Sequence, residues 1–214
     1  TDFVAKNDAY QQLAHALADH ALGFDTKDTF LSSEFHGMTV SEKLIEQTGV
    51  RAHFHNISTA RAVKMIQDAQ SRGLAVTADV SAHHLHLCEH DLGNYDSQSH
   101  VLPPLRSIRD REQLQQGLRD GILTAVSSNH QPLDADAKLG PFSETTAGIS
   151  GLETLLPLTM KLVDDDEISL NQAIACLTHQ PADILGIEAG RLTIGGQADI
   201  CIFNPNAQNE CQPN

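Results

Sequence analysis

Residues 52–80 read Ala-His-Phe-His-Asn-Ile-Ser-Thr-Ala-Arg-Ala-Val-Lys-Met-Ile-Gln-Asp-Ala-Gln-Ser-Arg-Gly-Leu-Ala-Val-Thr-Ala-Asp-Val, and their pattern decides the fold class. Ala52 to Ile57 is a short strand-like run. Ser58 or Thr59 can cap the helix that follows by accepting a bond from a free backbone N–H. Ala62, Val63, Ile66 and Ala69 recur at helical spacing through Arg72. Gly73 ends that helix, because glycine enters the left-handed position after a helix at little cost. Leu74 to Val80 is a second strand. Strands separated by a helix of this length imply a parallel βαβ unit.

The same alternation extends downstream. A long loop runs to Pro103-Pro104, and Ser107 with Asp110 makes a capping-box-like pair before a helix over Arg109 to Arg119. Ile122 to Ser127 is a third strand. Leu152 to Val163 and Leu170 to His179 are helical stretches, the first despite Pro157, and Pro181 to Leu185 begins a short third one. Gly190 to Phe203 reads as strand, Gly195-Gly196 turn, strand. Upstream, Tyr10 to Leu22 is rich in Ala, Gln and Leu and fits a helix, whereas Phe24 to His36 reads as loop.

Parallel strands buried on both faces account for the Val/Ile/Ala-rich runs. An eight-stranded barrel takes ~250 residues. Three strand–helix units, with a less certain one before Gly49, make about half of such a barrel; an open parallel sheet is the alternative. The expected organisation is a partial (β/α) barrel over 1–188, a returning β segment over 189–206 and a polar, frayed tail over 207–214.

With 214 residues and 40% apolar content, the sequence suits one domain or part of one, with a single sizeable core. The formal charge of −14 disfavours nucleic acid or an anionic membrane as partner and favours solubility. A basic protein surface remains compatible with it. The four cysteines, Cys88, Cys176, Cys201 and Cys211, include no C-x-x-C pair and are expected as reduced, mostly buried thiols. No run approaches the ~20 apolar residues of a membrane span. The start Thr1-Asp2-Phe3-Val4 has neither a signal-peptide pattern nor an initiator Met, which points to a chain that begins inside a longer product or was trimmed, in the cytoplasm by default. There is no phosphate-binding G-x-x-x-x-G-K-[ST], no H-E-x-x-H and no G-x-S-x-G; Gly148-Ile149-Ser150-Gly151 has the wrong spacing for a nucleophile elbow.

Chemistry-bearing residues collect after the strands. Ser127-Ser128-Asn129-His130-Gln131-Pro132 closes the third strand, and Val101-Leu102-Pro103-Pro104-Leu105-Arg106-Ser107 precedes a helix. Asp79-Val80-Ser81-Ala82-His83-His84-Leu85 and Gly148-Ile149-Ser150-Gly151-Leu152-Glu153 follow the same logic, as do Gly190-Arg191-Leu192 and Ala198-Asp199-Ile200. In order and spacing these segments resemble the dihydroorotases of the amidohydrolase superfamily, over roughly Ala52 to Pro205. The resemblance implies an α/β fold, the C-terminal part of a (β/α)8, TIM-like barrel, with a C-terminal segment returning toward a small β-domain. It also implies one or two zinc ions and hydrolysis or closure of the dihydroorotate ring in pyrimidine biosynthesis.

The departures from that family bear on function. Its acid motif reads Thr-Asp-His-Ala-Pro-His, where the Asp binds metal and shuttles the proton. Here that position is Asn129, a neutral amide that takes no proton at physiological pH. The metal-binding His ending the strand aligned with Ala52–Ser58 is Asn56. His55 is one step away, and alternation along a strand would turn it to the opposite side. The substrate-contacting Asn before Pro-Pro is Leu102, the closing His of the acid motif is Leu133, and the apolar aromatic before Gly148 is Ala147. No His-x-His pair on an earlier strand and no bridging Lys is found to complete the metal site.

A catalytic zinc takes about three protein ligands and lowers the pKa of a bound water toward ~7. With Asn at two of those positions no zinc cofactor is expected. The pattern resembles the dihydroorotase-like, non-catalytic chains that associate with aspartate carbamoyltransferase in some bacteria, which implies the catalytic chain of that enzyme as partner, in an oligomeric assembly. The alternative is an active zinc cyclic-amide hydrolase with relocated ligands, His55, His84 and His130.

Each remaining candidate has a plainer reading. His84, His86, Cys88 and His90 would share one face if the strand continued past Val80, as a metal cluster needs, but loop scaffolding is the reading preferred. His130 is a catalytic base or a hydrogen-bonded scaffold residue. Asp79 is a buried functional carboxylate or a strand-end residue tied to backbone or Arg. Glu153 suits the first turn of a helix. Asp164-Asp165-Asp166-Glu167 is a solvated loop or an interaction patch.

Overall fold

The computed structural model describes residues 45–205 together with Met38, Glu42, Lys43 and Ala207. Tyr10 to Leu22, Phe24 to His36 and nearly all of the tail lie outside the described residues. Before Gly49 the described residues are helical, so any strand of that fourth unit lies outside them as well.

Strand β1 (Ala52–Phe54), helix α1 (Ala60–Ser71) and strand β2 (Val76–Ser81) form the first unit. Helix α2 (Ile108–Arg119) then leads to β3 (Ala125–Ser127). Helices α3 (Leu155–Asp164), α4 (Leu170–Leu177) and α5 (His179–Leu185) follow. The sheet has the order β1-β2-β3 and both pairings are parallel, Ala52 opposite Val76 and Asp79 opposite Ala125.

Local chemistry sets the boundaries. Thr59 caps α1 by accepting from the Ala62 N–H at 3.1 Å, and Gly73 takes φ +79° just past its end. The Ser107–Asp110 capping box opens α2. Thr178, at φ −125° and ψ −94°, separates α4 from α5, two residues before the gap that the sequence leaves at Gln180. The strands are shorter than the apolar runs that announce them, because pairing with a neighbour, and not hydrophobicity, ends a strand.

The two faces of the sheet differ. Ala78, Val80 and Val126 point into a core with Val63 and Ile66 of α1, Leu114 and Leu118 of α2, and Met160 and Leu162 of α3. His53, Thr77, Asp79 and Ser127 occupy the opposite, polar face. Alternation along each strand forces this division. Helices on one side and polar side chains on the other are what a barrel wall requires, the polar side facing the interior.

Two expectations fail. Gly190 to Phe203 forms no strand: the Gly195-Gly196 turn is made, with the Gly196 N–H on the Thr193 carbonyl at 3.0 Å, but no described residue pairs with either arm. Ile194 and Ile202 are consequently almost fully exposed. The strand of β2 also does not run on through the histidines. It ends at Ser81 and turns into a 3-10 helix over Ala82–Leu85, so His84, His86, Cys88 and His90 share no strand face. The cysteines divide, Cys88 and Cys176 buried and Cys201 exposed. In the acidic run, Asp165 pairs with Lys161 at 2.8 Å and Glu167 with Arg119 of α2.

His83 and His84 are buried beneath this turn, their rings 4.6 Å apart. Burial lowers their pKa values from 6.5 to about 3 and about 4. Below pH 6.5 the unfolded chain gains protons that the folded chain refuses, so stability present above that pH is lost on acidification down to the folded values. Unfolding free energies from denaturant melts between pH 7 and 4.5 should fall, with a slope approaching about 1.4 kcal/mol per pH unit for each histidine. The variant His84→Gln should flatten the profile.

Candidate functional site at the strand ends

The polar face converges on Asp79, which is 5% exposed in the middle of the central strand. His53 and His55 leave β1 on the same side because they are two residues apart. Their Nε2 and Nδ1 atoms stand 2.8 and 2.6 Å from Asp79 Oδ2. The Asn56 backbone N–H donates to Asp79 Oδ1 at 2.9 Å, and the Ser127 hydroxyl donates to the same oxygen at 3.3 Å. Burial works against the charge of Asp79, but the bonds from His53, His55 and Asn56 outweigh it and hold the carboxyl well below its usual range. The same bond to Asp79 raises the pKa of His55 against the opposing effect of burial. Asp79 is therefore a strand residue tied to two imidazoles and to backbone.

Asn56 and Asn129 meet directly. The Asn56 Nδ2 donates to Asn129 Oδ1 at 3.1 Å, and Ser127 Oγ donates to Asn56 Oδ1 at 2.9 Å. Asn129 Nδ2 in turn donates to the Leu102 carbonyl at 3.0 Å, linking the loop after β2 to the loop after β3. Both asparagines have left-handed backbones, φ +57° and +43°, a conformation Asn tolerates better than most residues. At Asn56 that conformation ends the strand, so the side-to-side alternation assumed from the sequence stops there. His55 and Asn56 both reach the Asp79–Ser127 cluster. An amide pair closed on itself offers no anionic or imidazole donor of the kind zinc takes, so these two residues do not fit the ion that the family resemblance implies.

The loops after β3 close over one another. A Cβ on Gly151 would lie 2.2 Å from the Ser128 carbonyl oxygen, and one on Gly148 2.7 Å from that of Gln131. His130 Nδ1 accepts from the backbone N–H groups of Gly151 and Leu152 at 3.2 and 3.3 Å. His130 thus holds this loop pair together. Leu133 sits against Gly148, whose N–H bonds the His100 carbonyl at 2.8 Å. Leu102 and Leu133 are partly exposed beside this junction, and Ala147 is half-buried. His84 bonds Ser81 Oγ at 2.6 Å and the Pro104 carbonyl at 3.3 Å, and His86 bonds the Leu158 carbonyl at 2.8 Å.

Among the described residues, His53, His55 and Asp79 are the group whose donor atoms could hold a metal. His84 and His130 are not gathered with His55. His53-Phe54-His55 has the His-x-His spacing, at the end of β1 and not on an earlier strand. The alternation of His53 and His55, set against Thr77 and Asp79 of a neighbouring parallel strand, was the signal available. Ser127 carried no such signal.

The asparagine pair and the glycine contact each give a measurable outcome. Asn129→Ala should destabilise the fold by about 1–2 kcal/mol, since it orphans the Asn56 amide and puts a Cβ residue other than Asn at a left-handed position. Asn129→Gly, which keeps the backbone but not the amide, should recover part of that in denaturant melts. Gly151→Ala should cost about 2 kcal/mol or more, because its new methyl meets backbone that cannot move aside.

The comparisons agree with this architecture. The amidohydrolase family model matches residues 4–213. A dihydroorotase-like protein of Pseudomonas aeruginosa is 47% identical over 162 residues, which is 76% of this chain and 38% of the relative. A dihydroorotase of Syntrophotalea carbinolica is 40% identical over 170 residues, 79% of this chain and 40% of that protein. The chain thus spans about two fifths of the length of these curated relatives. Among solved structures, the L-hydantoinase of Arthrobacter aurescens superposes with a TM-score of 0.74 at 21% identity, over 91% of this chain and 44% of that one. Dihydropyrimidinase from Brevibacillus agri gives 0.72 at 23%, over 79% and 39%. The parallel strands, the polar interior face and the loop pair at the strand ends are the C-terminal part of a TIM-like barrel, and the chain belongs to the amidohydrolase family.

Proposed function

We propose that this chain is a dihydroorotase-like protein of pyrimidine biosynthesis whose metal site is degenerate, and that it serves as a non-catalytic structural partner of the aspartate carbamoyltransferase catalytic chain in a cytoplasmic, oligomeric assembly. One observation carries the reading: Asn56 and Asn129, at the positions where the family grips its ion, hydrogen-bond to each other at 3.1 Å. Neither side chain can take a proton from a water or return one. The general acid–base role that the family's Asp fills has no occupant at its place, and His130 beside it is committed to the backbone of Gly151 and Leu152. The negative charge of −14 suits a basic partner surface.

A second reading, an active zinc cyclic-amide hydrolase, draws support from the His53, His55 and Asp79 cluster, whose donor atoms lie within 4.8 Å of one another. The two readings separate cleanly. Purified chain supplied with zinc should show no dihydroorotate turnover in either direction, and the transferase co-expressed with it should form a larger and more heat-stable assembly than the transferase alone. Turnover above the uncatalysed rate, or a transferase unchanged in size and melting temperature, would refute the structural role.

A further inference from the structure

We propose that His53, His55 and Asp79 form a site for one divalent cation of the zinc type, separate from the Asn56 and Asn129 positions and independent of ring-opening chemistry. The first ground is donor geometry. His53 Nε2, His55 Nδ1 and Asp79 Oδ2 lie within 4.8 Å of one another; His53 and Asp79 stand on two adjacent parallel strands, and His55 follows directly after the first. Zinc bonds of about 2.0–2.2 Å place neighbouring ligand atoms roughly 3–3.5 Å apart. The observed separations of 2.8 and 2.6 Å from the carboxylate oxygen reach that spacing by a small side-chain rotation.

The second ground is the outer shell. A metal-bound imidazole is oriented by a hydrogen bond at its other nitrogen, and a metal-bound carboxylate by one at its other oxygen. Both are already in place. His53 Nδ1 is fixed by the Thr77 hydroxyl at 2.9 Å. Asp79 Oδ1 is fixed by the Asn56 N–H at 2.9 Å and by Ser127 at 3.3 Å. The donor atoms of His53 and Asp79 are therefore held side by side before any ion arrives.

Access is the third. The His55 side chain is 60% exposed and His53 27%, so the outer side of the cluster is open to water, which can fill the remaining coordination position. Two imidazole nitrogens with one carboxylate oxygen select zinc, cobalt or nickel over magnesium or calcium, which prefer oxygen. Binding would clasp β1 to β2.

The test is calorimetric titration of the chelator-stripped chain with Zn2+, followed by Co2+ with its visible spectrum as a readout of nitrogen and oxygen ligation. One ion per chain is expected, with a rise in melting temperature. The exposed His55→Gln, which disturbs no buried packing, should weaken binding by about a hundredfold, and Thr77→Val, which frees only the far nitrogen of His53, by about tenfold. His90→Gln should leave affinity unchanged. Absence of stoichiometric binding, or equal affinity in a folded His55→Gln chain, overturns the proposal. Zinc bound here without dihydroorotate turnover supports it and leaves the structural role standing.

Discussion

The Asp79 carboxylate holds the sheet together across its polar face. It sits on the central strand, receives His53, His55 and the Asn56 N–H from the β1 side, and receives Ser127 from β3. A charge buried this far is tolerable only because every lone pair facing protein has a donor. The packing on the other face is generic by comparison. Ala78, Val80 and Val126 fill space against α1 and α2 and accept substitutes of like volume. No residue of like volume replaces Asp79 without orphaning donors on two neighbouring strands.

The same arrangement explains why asparagine at the strand ends is compatible with a well-formed site. Asn56 and Asn129 satisfy each other, Ser127 and the Leu102 carbonyl, so the chain end of each strand is closed by neutral hydrogen bonds. The Gly148–Gly151 segment, locked by close backbone approach and by His130, then fixes the loop after β3. The shell of the site is therefore held by contacts that need no ion.

Much of this was legible in the sequence, and for identifiable reasons. Helices α1 and α2 were, because Thr59, Gly73 and the Ser107–Asp110 box act locally and the apolar spacing agrees with them. The family resemblance puts Asn56 and Asn129 at ligand positions of one site, but their direct hydrogen bond carries no sequence signal. What failed depends on distant partners. The Gly190–Phe203 arms carry strand-like residues, yet a strand exists only with a neighbour to pair with. The Asp79 cluster was missed because it joins three strands, and because the left-handed backbone at Asn56 departs from the alternation that the residue types suggest. The break between α4 and α5 was legible from Pro181, close to its place at Thr178.

The uncovered arms have a colloidal consequence. Leu192, Ile194, Ile200 and Ile202 present a ribbon of bare hydrocarbon to solvent, the kind of surface through which copies stick to one another. Mutual repulsion between chains, each carrying −14 at neutral pH, keeps them apart. Near the isoelectric point of about 5.1 that repulsion vanishes while the ribbon stays bare. Near that pH, contact between copies through this segment meets the least electrostatic opposition.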